Sequence, residues 1–511
     1  MKQPVRGSAN RGGAPPLHTS QKSSASNVTD QIATFPWSRK STCQLFGFMS
    51  FQIWVWMVFW SPTFSGSTIF DEADSSSTLF FLSLVANAAT LAFFFAFCRY
   101  VNPLYRFTWL PIASCAFMSV GCLLLSADQP GFGTLAGSVT TGIGSATMMV
   151  LWGENLSRVK TRQVLLCCVL SSIIGGLISI VVTWLPRMGG RGIAIALPIV
   201  SAAFFVAVKR CLEQSEKPVI DVRPPIKLPV RIVVTSVFFG CCFGLMRGLF
   251  SSEYFVSHHP DTVMNMLAFV AAGLIVLVTA VIFKLDFRRL TYQIALPLMA
   301  LGFIFLTVSG MQGWAMPVHN LGFQHFYIIL WTLWAYLGIR KDIPASWMFA
   351  CGMLFLQIGQ IVGSQLGHLF TSQWPSHEAL STLSLLTLFS ILIMALFFLG
   401  SKDFQMGFSL IKPGIKQQNP CEYGQADLLL CCTAIGRTNG LSDREIEVLS
   451  LLAQRYNRPQ ICELLVISDE TVKTHIKHIY QKLSIHTRED LVDRVNRELE
   501  LVKSDDFLDS I

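Results

Sequence analysis

Between residues 43 and 400 long apolar runs alternate with short polar interruptions, and the runs have one length in common. A helix needs about 20 apolar residues to cross a hydrocarbon core of about 30 Å. Runs of that size fall at about 43–60, 78–98, 107–126, 132–152, 164–185, 192–209, 231–250, 262–283, 291–310, 321–339, 347–370 and 379–400, predicting twelve transmembrane helices. After Gly400 the pattern changes. Residues 401–436, with Pro413, Gly414, Pro420 and Gly436, read as a linker, and from Leu441 short segments carry apolar positions at helical spacing.

Composition supports that division. The chain is 52% hydrophobic and 14% charged, against about 25% charged for a soluble domain. The first 42 residues, rich in Ser, Gly, Ala and Pro, form a basic tail that cannot bury a core, and no secretory cleavage pattern follows them. Most of the fourteen cysteines lie in or beside apolar runs, where they read as small packing residues; Cys421, Cys431 and Cys432 fall in the linker without a zinc-finger partner set. No metal or cofactor is expected.

The net charge of +8 acquires meaning from its distribution. With the N-terminus inside, the cytoplasmic loops hold sixteen basic residues, among them Arg158, Lys160, Arg162, Lys284, Arg288, Arg340 and Lys341. The opposite loops hold Arg187, Arg191 and Arg247, so the bias follows the positive-inside rule with the Arg187–Arg191 loop as its misfit. An even number of spans then returns the C-terminus to the cytoplasm, in a cytoplasmic (inner) membrane. The proline-bearing central loop, 210–230, divides the spans into halves at 43–209 and 231–400. By span count and central loop this region resembles the major facilitator superfamily. The loop CRYVNPLYRF lacks the Gly/Asp/Arg signature of those transporters, which counts against active transport.

Polar residues inside apolar spans mark candidate chemistry, because hydrocarbon offers them no partner. In the eleventh span Gln357, Gln360, Ser364 and His368 share one face, while Gly359, Gly363 and Gly367 share another. The glycines read as a close helix contact, as do Gly240, Gly244 and Gly248 in the seventh span. The polar edge fits either a ligand cavity or interhelical hydrogen bonding. Arg247 fits an anion site or a side chain reaching the outer interface, and Glu154 a salt bridge with Arg158 one turn later. In the superfamily that the bundle resembles, the first, fourth, seventh and tenth spans line the central cavity. That resemblance implies a lining of Gln52, Glu154, Arg247, Gln324 and His325, to which Gln357, Gln360 and His368 are added from the polar edge.

Beyond the linker, Ser442 and Glu445 make a capping box that predicts a first helix over 443–455. Asn457 and Pro459 predict a second start, and Ser468 caps a third helix whose apolar positions are Val472, Ile476, Ile479 and Leu483. Burying that stripe turns Lys473, Thr474, Lys477 and Gln481 outward, the geometry of a helix-turn-helix whose last helix enters the major groove. Residues 437–511 contain eleven basic and fourteen acidic side chains, a sum that argues against indiscriminate DNA binding but permits one positive face.

LSDREIEVL at 441–449, LLA at 451–453, ISDETVKTH at 467–475 and KHIYQKL at 477–483 closely resemble the LuxR-type helix-turn-helix domain. The resemblance implies base contacts from Lys473, Thr474 and Lys477, phosphate contacts from Ser468, Thr471 and Lys482, and a dimer interface at Leu491, Val495 and Leu499. Arg455 and Pro459 depart from the family pattern at the turn between the first two helices.

The expectation is therefore all-α: a twelve-span bundle followed by a cytoplasmic four-helix DNA-binding domain at 437–511. It describes a membrane-bound one-component transcriptional regulator whose partners are double-stranded DNA, membrane lipid, RNA polymerase, a second copy on DNA, and an unidentified small-molecule inducer. The competing expectation is a secondary transporter with a fused regulatory domain. No nucleophile–base pair, phosphate loop or metal set points to catalysis.

Overall fold

The computed structural model describes residues 38–400 apart from 62, 65–71, 99, 102, 128–131, 213–229, 251–261, 288, 341–343 and 375–376, and residues 425–498 apart from 455, 457, 466 and 496. The chain divides into two compact units, at Met1–Ile415 and Lys416–Ile511.

In the first unit twelve helical segments follow one another, one at each expected span. They are α1 Arg39–Trp60, α2 Glu72–Phe97, α3 Trp109–Ser126, α4 Phe132–Leu156, α5 Thr161–Thr183, α6 Arg187–Leu212, α7 Val230–Phe250, α8 Thr262–Val276, α9 Leu296–Thr307, α10 Gln312–Arg340, α11 Ala345–Gln373 and α12 His377–Gly400. The eighth span continues as π-helix over Leu277–Ile282, and the ninth begins as π-helix over Arg289–Ala295. Ten of these segments are long and apolar enough to cross a membrane, and α12 holds a shorter apolar stretch, Leu380–Ala395. This is a polytopic membrane protein. The α10 segment, which carries His319, Asn320, Gln324 and His325, is outside the ten.

The tightest contact lies between α7 and α11, which run parallel. A Cβ added at Gly240, Gly244 or Gly248 would strike the carbonyl oxygen of Leu356, Gln360 or Ser364. In return, a Cβ at Gly359, Gly363 or Gly367 would strike that of Val237, Cys241 or Leu245. Six glycines thus let two backbones touch, which is how helices associate where lipid removes the hydrophobic drive. The halves meet through α2 against α11 and α5 against α8. Ser172 Oγ donates to the Phe269 carbonyl at 2.8 Å, and Phe95 stacks on Trp347 with ring centroids 5.0 Å apart.

Arg191, half of the misfit in the loop charges, has a structural explanation. Its guanidinium donates to the carbonyls of Thr63 and Ser126, both at 3.3 Å. Both Arg187 and Arg191 fall within the first turns of α6 rather than in a loop.

The second unit holds α13 Gln425–Thr438, α14 Asp443–Ala453, α15 Arg458–Leu465, α16 Asp469–Leu483 and helical residues 488–495. Its own core joins Val448, Leu449, Ile461, Val472, Ile479 and Leu491. The helix α13 lies in the segment expected as linker. Its Cys431, Cys432 and Ile435 are buried in that core, so the two cysteines pack rather than bind metal. The capping box forms as expected, with Ser442 N donating to Glu445 Oε2 at 2.8 Å and Glu445 N to Ser442 Oγ at 3.3 Å. The cap at Asn457 lies outside the described residues.

Glu445 does more than cap. Lys482 Nζ, on α16, reaches its Oε2 at 2.7 Å and the Gly440 carbonyl at 3.0 Å, and His478 Nδ1 lies 3.4 Å from its Oε1. Burial disfavours the carboxylate, but the Lys482 ammonium and the Ser442 amide and hydroxyl outweigh it and hold the Glu445 carboxyl at about 2.

Two expectations follow from these contacts. Gly363→Val should lower the thermal stability of the detergent-purified protein by about 2 kcal/mol or more, because the α7 carbonyl cannot move away. Gly313→Ala, which meets open space, should leave it unchanged. For Glu445, the folded value is depressed below the ordinary 4.5. The stability it contributes is therefore complete above that ordinary value and is lost as pH falls towards about 2. Acid unfolding of the 416–511 fragment should become shallower in that window in Glu445→Gln, measured by circular dichroism.

Candidate nucleic-acid interface and membrane cavity

Helix α16 presents its two faces as the sequence pattern requires. Val472, Ile479 and Leu483 are buried and Ile476 is half-buried, while Lys473, Thr474, Lys477 and Gln481 are exposed. Ser468 caps the helix, its Oγ accepting from Thr471 N at 3.2 Å and lying 2.7 Å from the Thr471 hydroxyl. The preceding turn is tied down by Arg444, whose guanidinium donates to the Leu465 carbonyl at 2.7 Å. Packing of α15 and α14 against α16 thus fixes the helix that carries the exposed basic residues.

The three base-contact candidates differ in how they are engaged. Lys473 Nζ lies 3.6 Å from Glu470 Oε1, an exposed pair worth little. The Thr474 hydroxyl donates to the Glu470 carbonyl at 2.8 Å. Lys477 is exposed and has no carboxylate partner among the described residues. All three point out from one side of the helix, the arrangement that admits a helix to the major groove.

Lys482, a phosphate-contact candidate, is exposed, and its ammonium donates to Glu445 and the Gly440 carbonyl, clamping α16 to the start of α14. Leu491 and Val495 were assigned to a dimer interface, yet both are buried in the domain's own core. Their apolar spacing has its explanation inside the monomer. Leu499 lies outside the described residues.

In the membrane unit, a cavity of about 110 Å³ opens between the halves. Gln52 from α1, Gln324 from α10, and Gln357 and Gln360 from α11 line it together. They are joined by Asn87 and Ser145, which the sequence reading missed although Asn87 is a lone amide in an apolar run. Asn87 Nδ2 donates to Ser145 Oγ at 3.0 Å, Gln357 Nε2 to Asn87 Oδ1 at 3.3 Å, and Gln324 Nε2 to Ser172 Oγ at 3.3 Å. The polar edge of α11 therefore lines a cavity and bonds across the halves at the same time.

Four other expected lining residues lie elsewhere. Glu154, at the end of α4, accepts from Leu104 N at 3.0 Å and faces Arg158 Nη2 at 3.5 Å, tying the α2–α3 connection to α4. His325 is fully buried beside the cavity wall but outside its lining. His368, two turns beyond Gln360, is exposed. Arg247 sits behind the lining: it donates to the Phe59 carbonyl at 2.8 Å, with its guanidinium 4.4 Å from the Trp60 ring and 3.9 Å from the Phe80 ring. Helix rotation and burial decided these four, and a list of spans contains neither.

Residues 439–495 match the family described as bacterial regulatory proteins, luxR family. The HTH-type transcriptional regulator MalT of Yersinia enterocolitica (serotype O:8 / biotype 1B) is 39% identical over 66 residues, which are 13% of this chain and 7% of that protein. MalT of Yersinia pestis is 38% identical over 66 residues with the same coverage. The chain thus spans only a small part of the length of these relatives. Among solved structures, a bacterial homologue of the iron transporter ferroportin in an outward-facing state, with soaked iron, superposes with a TM-score of 0.51 at 11% identity, covering 71% of this chain and 98% of that one. FucP, a major facilitator superfamily transporter, aligns over 72% of this chain and 99% of its own, at 12% identity and a TM-score of 0.45. The chain accordingly carries a LuxR-type helix-turn-helix domain of transcription regulators at its C-terminal end, behind a membrane bundle with a transporter fold.

Proposed function

We propose that the protein is a membrane-bound, one-component transcriptional regulator in which a small ligand held by the helical bundle controls DNA binding. The observation that carries the DNA-reading half is the exposed face of α16, where Lys473, Thr474 and Lys477 stand together while the opposite face is packed. Lys473, Thr474 and Lys477 read bases, and Ser468 and Thr471 meet phosphates at the helix start, where backbone amides favour an anion. The observation that supports sensing is the cavity, whose amides come from both halves. A ligand bridging them has different affinities for bundles with the halves together or apart, which is what coupling requires.

The bias of basic loops supports an N-terminus and a C-terminal domain in the cytoplasm of a cell whose inner membrane holds the bundle. On DNA the domain acts as a homodimer, through surface other than the buried Leu491 and Val495, and recruits RNA polymerase. The protein is not an enzyme.

Footprinting with the 416–511 fragment tests the reader. Lys473→Ala with Lys477→Ala should weaken protection about tenfold or more at fixed salt, and undiminished protection would remove this face from the interface. Uptake assays in liposomes separate sensing from transport. The regulator reading expects no substrate accumulation, and accumulation that persists without the C-terminal domain would make the protein a transporter.

A further inference from the structure

We propose that the cavity between the halves selects a small uncharged ligand, one that pairs an apolar face with groups that both donate and accept hydrogen bonds. This inference rests on the reading of the bundle as a ligand sensor and concerns the chemistry of that same site. Among the described residues that line the cavity there is no Asp, Glu, Lys, Arg or His. Polarity comes instead from five carboxamides, Gln52, Asn87, Gln324, Gln357 and Gln360, with hydroxyls beside them. A carboxamide offers a donor and an acceptor together, and neither sign of charge is compensated. The internal bonds of the set leave Gln357 Oε1 buried without a partner, an acceptor that a ligand's N–H or O–H would satisfy once the amide adjusts.

Among the described residues, the cation against the cavity wall, Arg247, is already engaged. Arg247 holds the Phe59 carbonyl and lies against the Trp60 and Phe80 rings, which belong to the cavity wall. At Trp60 and Phe80 a cationic ligand would meet rings whose π-charge already serves a guanidinium, and it would be repelled by that charge. An anionic ligand would have to draw Arg247 out of this cage and through the wall. An uncharged ligand pays neither penalty, since an unpaired charge is what a low-dielectric site excludes most strongly. Size narrows the class further. The cavity holds about 110 Å³, and an apolar cavity of about 150 Å³ admits benzene, so the occupant is no larger than about a single ring.

Three probes of nearly equal shape test the charge rule: benzamide, benzoate and benzylamine, which near pH 7 are neutral, anionic and cationic. Each is added to the full-length protein in detergent, and the thermal unfolding midpoint is followed. Benzamide should raise the midpoint by roughly 2 °C or more at saturation, and the two ions should not. The shift should vanish in Gln357→Leu and, separately, in Gln360→Leu, using whichever variant keeps the parent midpoint without probe. An equal or larger shift with benzoate would assign the site to an anion served by Arg247. An equal or larger shift with benzylamine would assign it to the aromatic rings. Either result overturns the proposal, as does the absence of a shift with all three. A reporter fused to a promoter bound by the protein separates this from the sensor reading. Benzamide binding without a change in transcription refutes sensing while leaving the cavity's charge rule intact.

Discussion

The backbone contact between α7 and α11 is the constraint on which the membrane unit depends. In lipid, apolar side chains gain nothing by leaving hydrocarbon for one another, so helices are held by close packing and by hydrogen bonds. Six glycines supply the packing here, each placed where a carbonyl oxygen of the facing helix occupies the space of a side chain. The contact also orients α11. Gln360 turns its carbonyl to Gly244 and its amide to the cavity, while Gln357 bonds Asn87 on α2. A shift of α11 along α7 would therefore move the cavity wall and the junction between the halves together.

That junction is bridged by side chains towards either end of the cavity. Towards the Arg39 end of α1, Phe48 lies edge-on to Trp331 at 4.8 Å, Trp331 packs on Phe349 at 5.2 Å, and Trp152 approaches Phe48 at 6.3 Å. These rings come from α1 and α4 in one half and α10 and α11 in the other, and all are fully buried. Towards the Trp60 end, Arg247 reaches from α7 across to the Phe59 carbonyl and the Phe80 ring. Apolar shape joins the halves at one end, and a cation held by neutral groups joins them at the other.

In the DNA-binding unit the same economy appears in Glu445. One carboxylate caps α14, accepts the Lys482 ammonium and lies beside His478, so the first helix and the recognition helix share an anchor. Lys482 stays exposed but is engaged in this clamp, while Lys473 and Lys477 are exposed on the same helix. A domain that is acidic in sum favours a specific site over general attraction to nucleic acid.

Periodicity alone carried much of this architecture. Apolar runs of membrane length located twelve helices, and the glycines at spacing four announced a close helix contact on the seventh span and another on the eleventh, because a helix brings every fourth residue to one face. The capping box and the stripe at Val472, Ile476, Ile479 and Leu483 placed the recognition helix, since both are local features of a few consecutive turns. Tertiary structure decided what the sequence pattern left open. It placed Gln52, Gln324, Gln357 and Gln360 around one cavity, set Glu154 and Arg247 outside its lining, gave α13 to the domain core, paired Lys482 with Glu445, and turned Leu491 and Val495 into the core. Each of those outcomes depends on how one helix is rotated against others distant in sequence, and a run of residues fixes a helix's own faces without saying which neighbour each face will meet.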